Sequence, residues 1–258
     1  MSTVLDGILA VHRAAADADE RRLDDLLARA RAMLPTRPFY AALAGGPDIS
    51  VIAEVKRRSP SKGPLAPDLI PADIARRYEA GGAAALSVLT DGEFFGGSPD
   101  DLAQARDACA LPVLRKDFTV SAADVCDARL MGADAVLLIV AALTDDELAD
   151  FGRLASELGM AALVEVHTDA ELDRALEAGA ELVGVNSRDL RAFTVDLSIA
   201  ERLAARIPGG VVSVAESGVR EAADAVRLSD CGYDAVLVGE SLVTDPDPES
   251  ALRKLRGA

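Results

Sequence analysis

Positive charge is what this chain has least of. Its 27 lysines and arginines face 43 aspartates and glutamates, leaving a formal charge of −16 over 258 residues. Such a surface repels a phosphate backbone, which argues against nucleic acid as a partner, and an anionic small molecule would need a local positive site. Cysteine is scarce too. Cys109, Cys126 and Cys231 are odd in number, widely spaced and outside any CxxC or Cys/His cluster, so reduced, packed thiols are expected rather than a disulfide framework or a metal site. No apolar run approaches the ~20 residues that span a bilayer, and no membrane partner is expected. The opening stretch, MSTVLDGILAVHRAAADADERR, gathers charge too early for a secretory leader. A cytoplasmic protein is the expectation.

Lysine is scarce as well in a chain that otherwise prefers arginine. It occurs only at 56, 62, 116 and 254, and the first three sit at or just after the end of an apolar run. Those places call for a compact ammonium with a tunable pKa, which a guanidinium does not supply.

What the chain does have is recurrence. Short apolar runs return about every 25 residues: VIAEVK (51–56), ALSVLT (85–90), PVLRKDF (112–118), AVLLIV (135–140), AALVEV (161–166), LVGVNS (182–187), VVSVAES (211–217) and AVLVGES (235–241). Amphipathic stretches of helical period lie between them and often close on glycine, as in EAGGA, LMGAD, SELGM, EAGAE and DCGYD. Ser98, Thr144 and Thr168, each followed by acids, read as helix N-caps. Strand, helix, turn and strand repeated eight times predict an α/β fold, a single (β/α)8 TIM barrel over residues 49–258. Residues 1–48 predict an N-terminal helical extension packed on the barrel. It holds helices over Val4–Asp17 and Arg21–Met33, then a proline-broken stretch (LPTRPF) and a Gly-Gly-Pro turn.

Strand side chains alternate faces, so residues two apart share one. Ile52, Glu54 and Lys56 therefore point together, as do Leu114, Lys116 and Phe118, Leu163 and Glu165, Gly184, Asn186 and Arg188, and Val212, Val214 and Glu216. If these are the inward faces, each strand is apolar inside the barrel and polar at its upper end, where barrels carry their reacting groups. The bland reading is a ring of ion pairs at the mouth.

The most specific stretch is AEVKRRSPSKGPL (53–65), a Glu and a Lys at strand spacing followed by a donor-rich loop stiffened by Pro60. After it come SVLTDGEFFGGS (87–98), LPVLRKDF (111–118), LLIVAAL (137–143), LVEVHT (163–168), GVNSRDL (184–190), AESGV (215–219) and VLVGESL (236–242). Taken in order over essentially the whole chain, these motifs closely resemble the indole-3-glycerol-phosphate synthase family. The resemblance implies ring closure of 1-(2-carboxyphenylamino)-1-deoxyribulose 5-phosphate, with loss of carbon dioxide and water, in tryptophan biosynthesis. It implies no cofactor and no metal. By the same resemblance, Lys116 is the proton donor for ring closure, Glu165 an acid/base group for dehydration, and Lys56 a substrate-holding residue with a proton-transfer role. Glu54 would orient and balance the lysines, while Asn186, Arg188 and Glu216 complete a polar network. Phosphate would rest on backbone around Ser217, Gly218, Gly239 and Glu240, with Ser59 in reach, and the anthranilate ring on Phe95, Phe118 and Leu137.

Chemistry supports the lysines independently: desolvation and a second nearby cation would lower the Lys116 pKa and ease proton donation. His12 is expected to be structural, and His167, two residues past Glu165, could reach the mouth. The expected partner is a small sugar phosphate bound by a monomer. Competing readings are a Schiff-base aldolase using Lys116, a sugar-phosphate isomerase or epimerase, and a non-catalytic barrel that senses a phosphorylated ligand.

Overall fold

The eight apolar runs form eight strands: β1 Ser50–Val55, β2 Ala85–Leu89, β3 Val113–Lys116, β4 Ala135–Ile139, β5 Ala161–Val166, β6 Leu182–Asn186, β7 Val212–Glu216 and β8 Ala235–Val238. The computed structural model describes residues 4–44, 46, 48–189 and 194–257. Gly45 and Pro47 of the expected turn, and Leu190 of the GVNSRDL motif, lie outside them. The strands pair in parallel and close on themselves in the order β1-β8-β7-β6-β5-β4-β3-β2. A parallel strand covered on both faces has to be apolar on both, which explains why the runs are near-continuous rather than alternating.

The two faces nonetheless differ. Val51, Ala53, Val55, Leu86, Val88, Val136 and Leu138 face outward into a large core beneath the helices. Ile52, Ala85, Leu114, Ala135, Leu137, Leu163, Leu182, Val212, Val214 and Leu237 fill the barrel interior as a second cluster. Each of the inward pairings expected from strand parity has its apolar member in that second cluster, except Gly184.

The surrounding helices are α4 Pro71–Gly81, α5 Pro99–Ala108, α6 Ala122–Leu130, α7 Asp145–Glu157, α8 Asp169–Glu177, α9 Ser198–Ala204, α10 Ala222–Asp230, the short α11 Glu240–Val243 and α12 Pro248–Leu255. Ser98, Thr144 and Thr168 each accept the N–H three residues on, as expected, and Ser121 does the same for α6. The glycines closing the helical stretches, among them Gly82 at φ 88°, take the left-handed backbone that ends a helix.

Among the described residues, three helices precede the first strand. α1 spans Val4–Asp17 and α2 spans Leu23–Arg31. α2 is shorter at both ends than the expected Arg21–Met33; at the amino end Arg21 is drawn sideways to Asp19 and Asp127 at 2.7 and 2.8 Å before the helix begins, and at the other end Ala32 caps it. The proline-broken stretch holds an unexpected helix, α3 Phe39–Leu43, started by Pro38. Phe39 and Leu43 belong to the inner cluster and pack at the amino-terminal end of the strands, so α3 closes the barrel floor. α1 lies at the other end, where Val4, Leu5 and Ile8 line the mouth. Arg13 anchors it there through the Val120 and Ala142 carbonyls and the Glu147 carboxylate.

Phe39→Ala should therefore empty the floor and cost about 3–5 kcal/mol of stability. Leu34→Ala, at a side chain 84% exposed, should stay within about 0.5 kcal/mol of the parent. Urea unfolding curves of the two variants check this; equal midpoints would remove α3 from the core.

Candidate active site

At the carboxyl ends of the strands the inward residues change from apolar to polar. Glu54, Lys116, Glu165, Asn186 and Glu216 are the uppermost inward side chains of β1, β3, β5, β6 and β7, and Lys56 follows directly after β1. Strand register sets Glu165 beside Gly184, and Asn186 beside Glu216. All six side chains line one cavity of about 540 Å3. The site residues expected from the sequence (Ser59, Phe95, Phe118, Leu137, Arg188, Ser217, Gly218, Gly239 and Glu240) line the same cavity.

Lys116 is the centre of the charge arrangement. Its Nζ lies 3.3 Å from Glu165 Oε2 and 3.8 Å from Glu216 Oε2. Lys56 pairs with Glu54 across β1. Burial pulls the Lys116 ammonium toward neutrality, but Glu165, Glu216 and Glu54 together outweigh it and raise its pKa above the ordinary lysine value. This corrects the expectation of a lowered pKa: carboxylates, not a second cation, dominate the surroundings of Lys116. A lysine held charged stabilises a developing alkoxide well. It is a poor Schiff-base nucleophile, which needs a neutral amine, and this weakens the aldolase reading.

The two glutamates beside it are driven apart. Burial pushes Glu216 well up, and the neighbouring charge of Glu165 adds to that, while Lys116 opposes. Glu165 is also opposed by burial, yet Lys116, His167 and Asn186 bring it below its ordinary value. One carboxyl thus keeps its proton where the other has lost it, the arrangement that furnishes an acid and a base at one pH.

Two glycines make room for this network. A Cβ on Gly184 would collide with the Glu216 carboxylate, and a Cβ on Gly239 would collide with that of Glu54 and come within 3.1 Å of Lys56 Nζ. Gly239 thus has a steric reason to be glycine besides the backbone access to phosphate expected of it. Gly218 likewise has φ 94°, and a Cβ there would press on Leu197 and Val195 at 2.8 Å, so its substitution tests local packing as much as ligand approach. Beside it, Ser217 has φ 65°, the one described non-glycine residue with positive φ. Strain of this kind gathers at functional sites.

Several contributors escaped the sequence reading. Arg115 and Asp117 flank Lys116 on the opposite face: Arg115 Nη2 donates to Asp117 Oδ2 at 3.0 Å, and Asp117 Oδ1 accepts the Phe118 N–H at 2.8 Å. They fix the strand end that presents Lys116 and Phe118. His167, expected as a residue that could reach the mouth, instead stands behind Glu165 without lining the cavity, with Nε2 3.5 Å from Glu165 Oε1 and Nδ1 3.3 Å from Glu171 Oε2. Lys62, at the tip of a small hairpin formed by Arg58–Ser59 and Gly63–Pro64, crosses the mouth to pair with Glu240. The signal for Lys62 was its rarity as a lysine; nothing in the sequence singled out Arg115.

Lys56, Lys62, Lys116, Arg188 and Arg220 match in number the five carboxylates lining the cavity, although acids far outnumber bases over the chain. The cavity is therefore charge-balanced in an otherwise acidic chain, and it gathers three of the four lysines. Phe95 and Phe118 stand with ring centroids 6.2 Å apart on one wall, above Leu137.

Comparison with known proteins agrees along the whole length. Residues 5–255 match the family described as indole-3-glycerol phosphate synthase. Indole-3-glycerol phosphate synthase 2 of Streptomyces coelicolor is 52% identical, covering 100% of both chains. The synthase of Mycobacteroides abscessus is 49% identical over 98% of this chain and 93% of its own. Among solved structures, a thiamine phosphate pyrophosphorylase from Pyrococcus furiosus superimposes with a TM-score of 0.62 at 17% identity, covering 81% of this chain and 94% of that one, a likeness of fold alone.

The raised Glu216 pKa has a consequence for stability. In the unfolded chain this carboxyl releases its proton near the ordinary 4.5, while in the fold it holds on, so the stability it contributes is present below that pH and lost as pH rises toward its folded value. Glu216→Gln should accordingly raise Tm at neutral pH by about 2–4 °C for each kcal/mol recovered. The gain should vanish in scans run below the ordinary carboxylate range. A variant less stable than the parent at neutral pH would contradict the assignment.

Proposed function

The chain belongs to the indole-3-glycerol phosphate synthase family, and from that premise we propose how its mouth closes the indole ring of 1-(2-carboxyphenylamino)-1-deoxyribulose 5-phosphate with loss of carbon dioxide and water. The enzyme is a carboxy-lyase of tryptophan biosynthesis. The observation that carries the assignment of roles is the Lys116 ammonium set among Glu165, Glu216 and Glu54 in a cavity that also offers an aromatic wall.

The benzene ring of the substrate rests on Phe95, Phe118 and Leu137. Its phosphate lies at the carboxyl ends of β7 and β8, against the backbone of Ser217, Gly218, Gly239 and Glu240, with Ser59 in reach, where barrels commonly hold phosphate. Lys56 and Arg188 meet the substrate's negative charge, and Glu54 orients Lys56. With both ends held, the ring carbon that carries the carboxylate faces the ribulose carbonyl, and positioning of this kind lowers the barrier before any proton moves.

Attack on the carbonyl transfers its π electrons to oxygen, and the Lys116 ammonium stabilises that charge and supplies the proton. Carbon dioxide then departs, leaving its bonding pair to restore the benzene ring. Dehydration follows: the new hydroxyl leaves as water with a proton from the glutamate pair, and the neighbouring carbon gives up a proton so that the five-membered ring becomes aromatic. Ionised Glu165 is suited to accept that proton and neutral Glu216 to hold one, with Asn186 fixing Glu165. His167 and Glu171 back Glu165 from the side away from Lys116. Every residue given a role here comes from this one chain, in keeping with a monomer, and a cytoplasmic enzyme suits the same reading.

The chain contains no tryptophan, so newly formed indole is the sole indole in an assay mixture and its fluorescence reports turnover directly. Folded protein that yields no indole signal from the carboxyphenylamino-deoxyribulose phosphate would refute the function. Lys116→Met keeps the aliphatic stem without the charge and should lower kcat on the order of 10³-fold or more, and Lys116→Arg should restore little of it. Glu165→Gln should lower kcat by roughly 10²–10⁴ with a much smaller change in substrate affinity. Lys116→Arg turning over at near-parent rates would show that charge alone suffices, and the proton-donor role would fall.

A further inference from the structure

Behind the aromatic wall, His12 of α1, Asp91 in the loop after β2 and Asp117 after β3 bring ligand atoms within 4.8 Å of one another. A cation is not needed to explain this cluster, because all four carboxylate oxygens already accept hydrogen bonds from the chain. Asp117 Oδ1 takes the Phe118 N–H and Oδ2 takes Thr90 and Arg115. Asp91 Oδ1 takes the backbone N–H of Phe94 at 2.6 Å and of Phe95 at 3.0 Å, and Oδ2 faces His12 Nε2 at 3.1 Å.

What the cluster does instead follows from what His12 touches. Its ring centroid lies 5.2 Å from that of Phe118, and Phe118 in turn stands 6.2 Å from Phe95. Through Asp91 the same imidazole holds the turn that carries Phe95. A single side chain of α1 therefore meets both faces of the aromatic wall, one by ring contact and the other through a carboxylate. The helix also reaches the cavity directly with Val4, Leu5 and Ile8.

We propose that His12 and Asp91 form a positioning clamp that sets the aromatic slot, so that recognition of the substrate's anthranilate ring depends on α1 being seated by this pair. The inference rests on reading Phe95 and Phe118 as that ring's site. Neither clamp residue touches the reacting atoms; both act through the phenylalanines.

The charges around His12 favour the clamp. Asp91 faces it from the β2 loop, Asp117 from the β3 loop and Asp124 from α6, with Arg115 beyond Asp117, while Arg13 of its own helix is turned to Glu147. The hydrogen bond to Asp91 raises the His12 pKa, burial opposes it, and Asp117 and Asp124 add to the rise. The imidazolium form is thus present below that raised value and lost as pH climbs through it, leaving a weaker, neutral contact.

Steady-state kinetics and binding of two fragments, anthranilate and inorganic phosphate, test the clamp in the full-length protein. His12→Leu should raise KM and the anthranilate Kd about tenfold, the loss expected for one charge-assisted hydrogen bond, with kcat within about twofold and phosphate binding unmoved. His12→Gln, which keeps an N–H donor, should recover most of that affinity. The parent's KM should rise across the His12 titration, and that rise should be absent in His12→Gln. The chain has only two histidines, so NMR titration assigned with His167→Gln should show His12 titrating above 6.5, and Asp91→Asn should bring it down. Unchanged anthranilate binding in His12→Leu, or equal losses of anthranilate and phosphate, would overturn the clamp. Failure of the parent itself to form indole would sink the proposed function instead, a separate outcome.

Discussion

The largely buried ammonium of Lys116 governs the layout of this mouth. Lys116 sits at the rim of an interior otherwise filled with Ile52, Leu114, Leu137, Leu163 and Val214, where an unpaired charge would be very costly. Glutamates at the ends of β5 and β7 resolve that cost, and closure of the barrel brings them there from 49 and 100 residues downstream. Three carboxylates beside the Lys116 and Lys56 ammoniums exceed neutrality by one, and the raised pKa of Glu216 answers that excess. Acids driven apart in this way are a starting point for acid–base chemistry.

The rest of the molecule keeps that set in place and opens one side of it. Gly184 and Gly239 leave the volume that the Glu216 and Glu54 carboxylates occupy. Arg115 and Asp117 lock the end of β3 from behind. α3 seals the floor with Phe39 and Leu43, while α1 and the Lys62 hairpin border the mouth. The acidic outer shell and the charge-balanced cavity are two parts of one electrostatic pattern: an anion is spared at one place the repulsion it meets over the rest of the surface.

The barrel was legible because its period is written in the strands. Parity grouped Glu54, Lys116, Glu165, Asn186 and Glu216 each with its strand partners on one face, and closure of the sheet makes that face the inward one. Caps at Ser98, Thr144 and Thr168 were legible for a similar local reason. α3 was not, because its five residues lie among prolines and are held by packing under the barrel rather than by helical propensity. The direction of the Lys116 shift was also hidden. Sequence shows which charges exist but not how they converge, and here two carboxylates lie within 4 Å of Lys116 with the charge of Glu54 acting beyond them. Arg115, Asp117 and His12 look like ordinary polar residues until loops from different strands bring them together.

The most direct test of the account is the charge state of Lys116 in the free protein. With only four lysines in the chain, lysine-selective ¹³C labelling gives four side-chain signals, and Lys116→Met identifies the one in question. This signal should remain that of a charged ammonium as pH rises through 10.5, the ordinary lysine value. A Lys116 that loses its proton at or below that ordinary value would contradict it, because the surrounding glutamates would then not be what holds the site together.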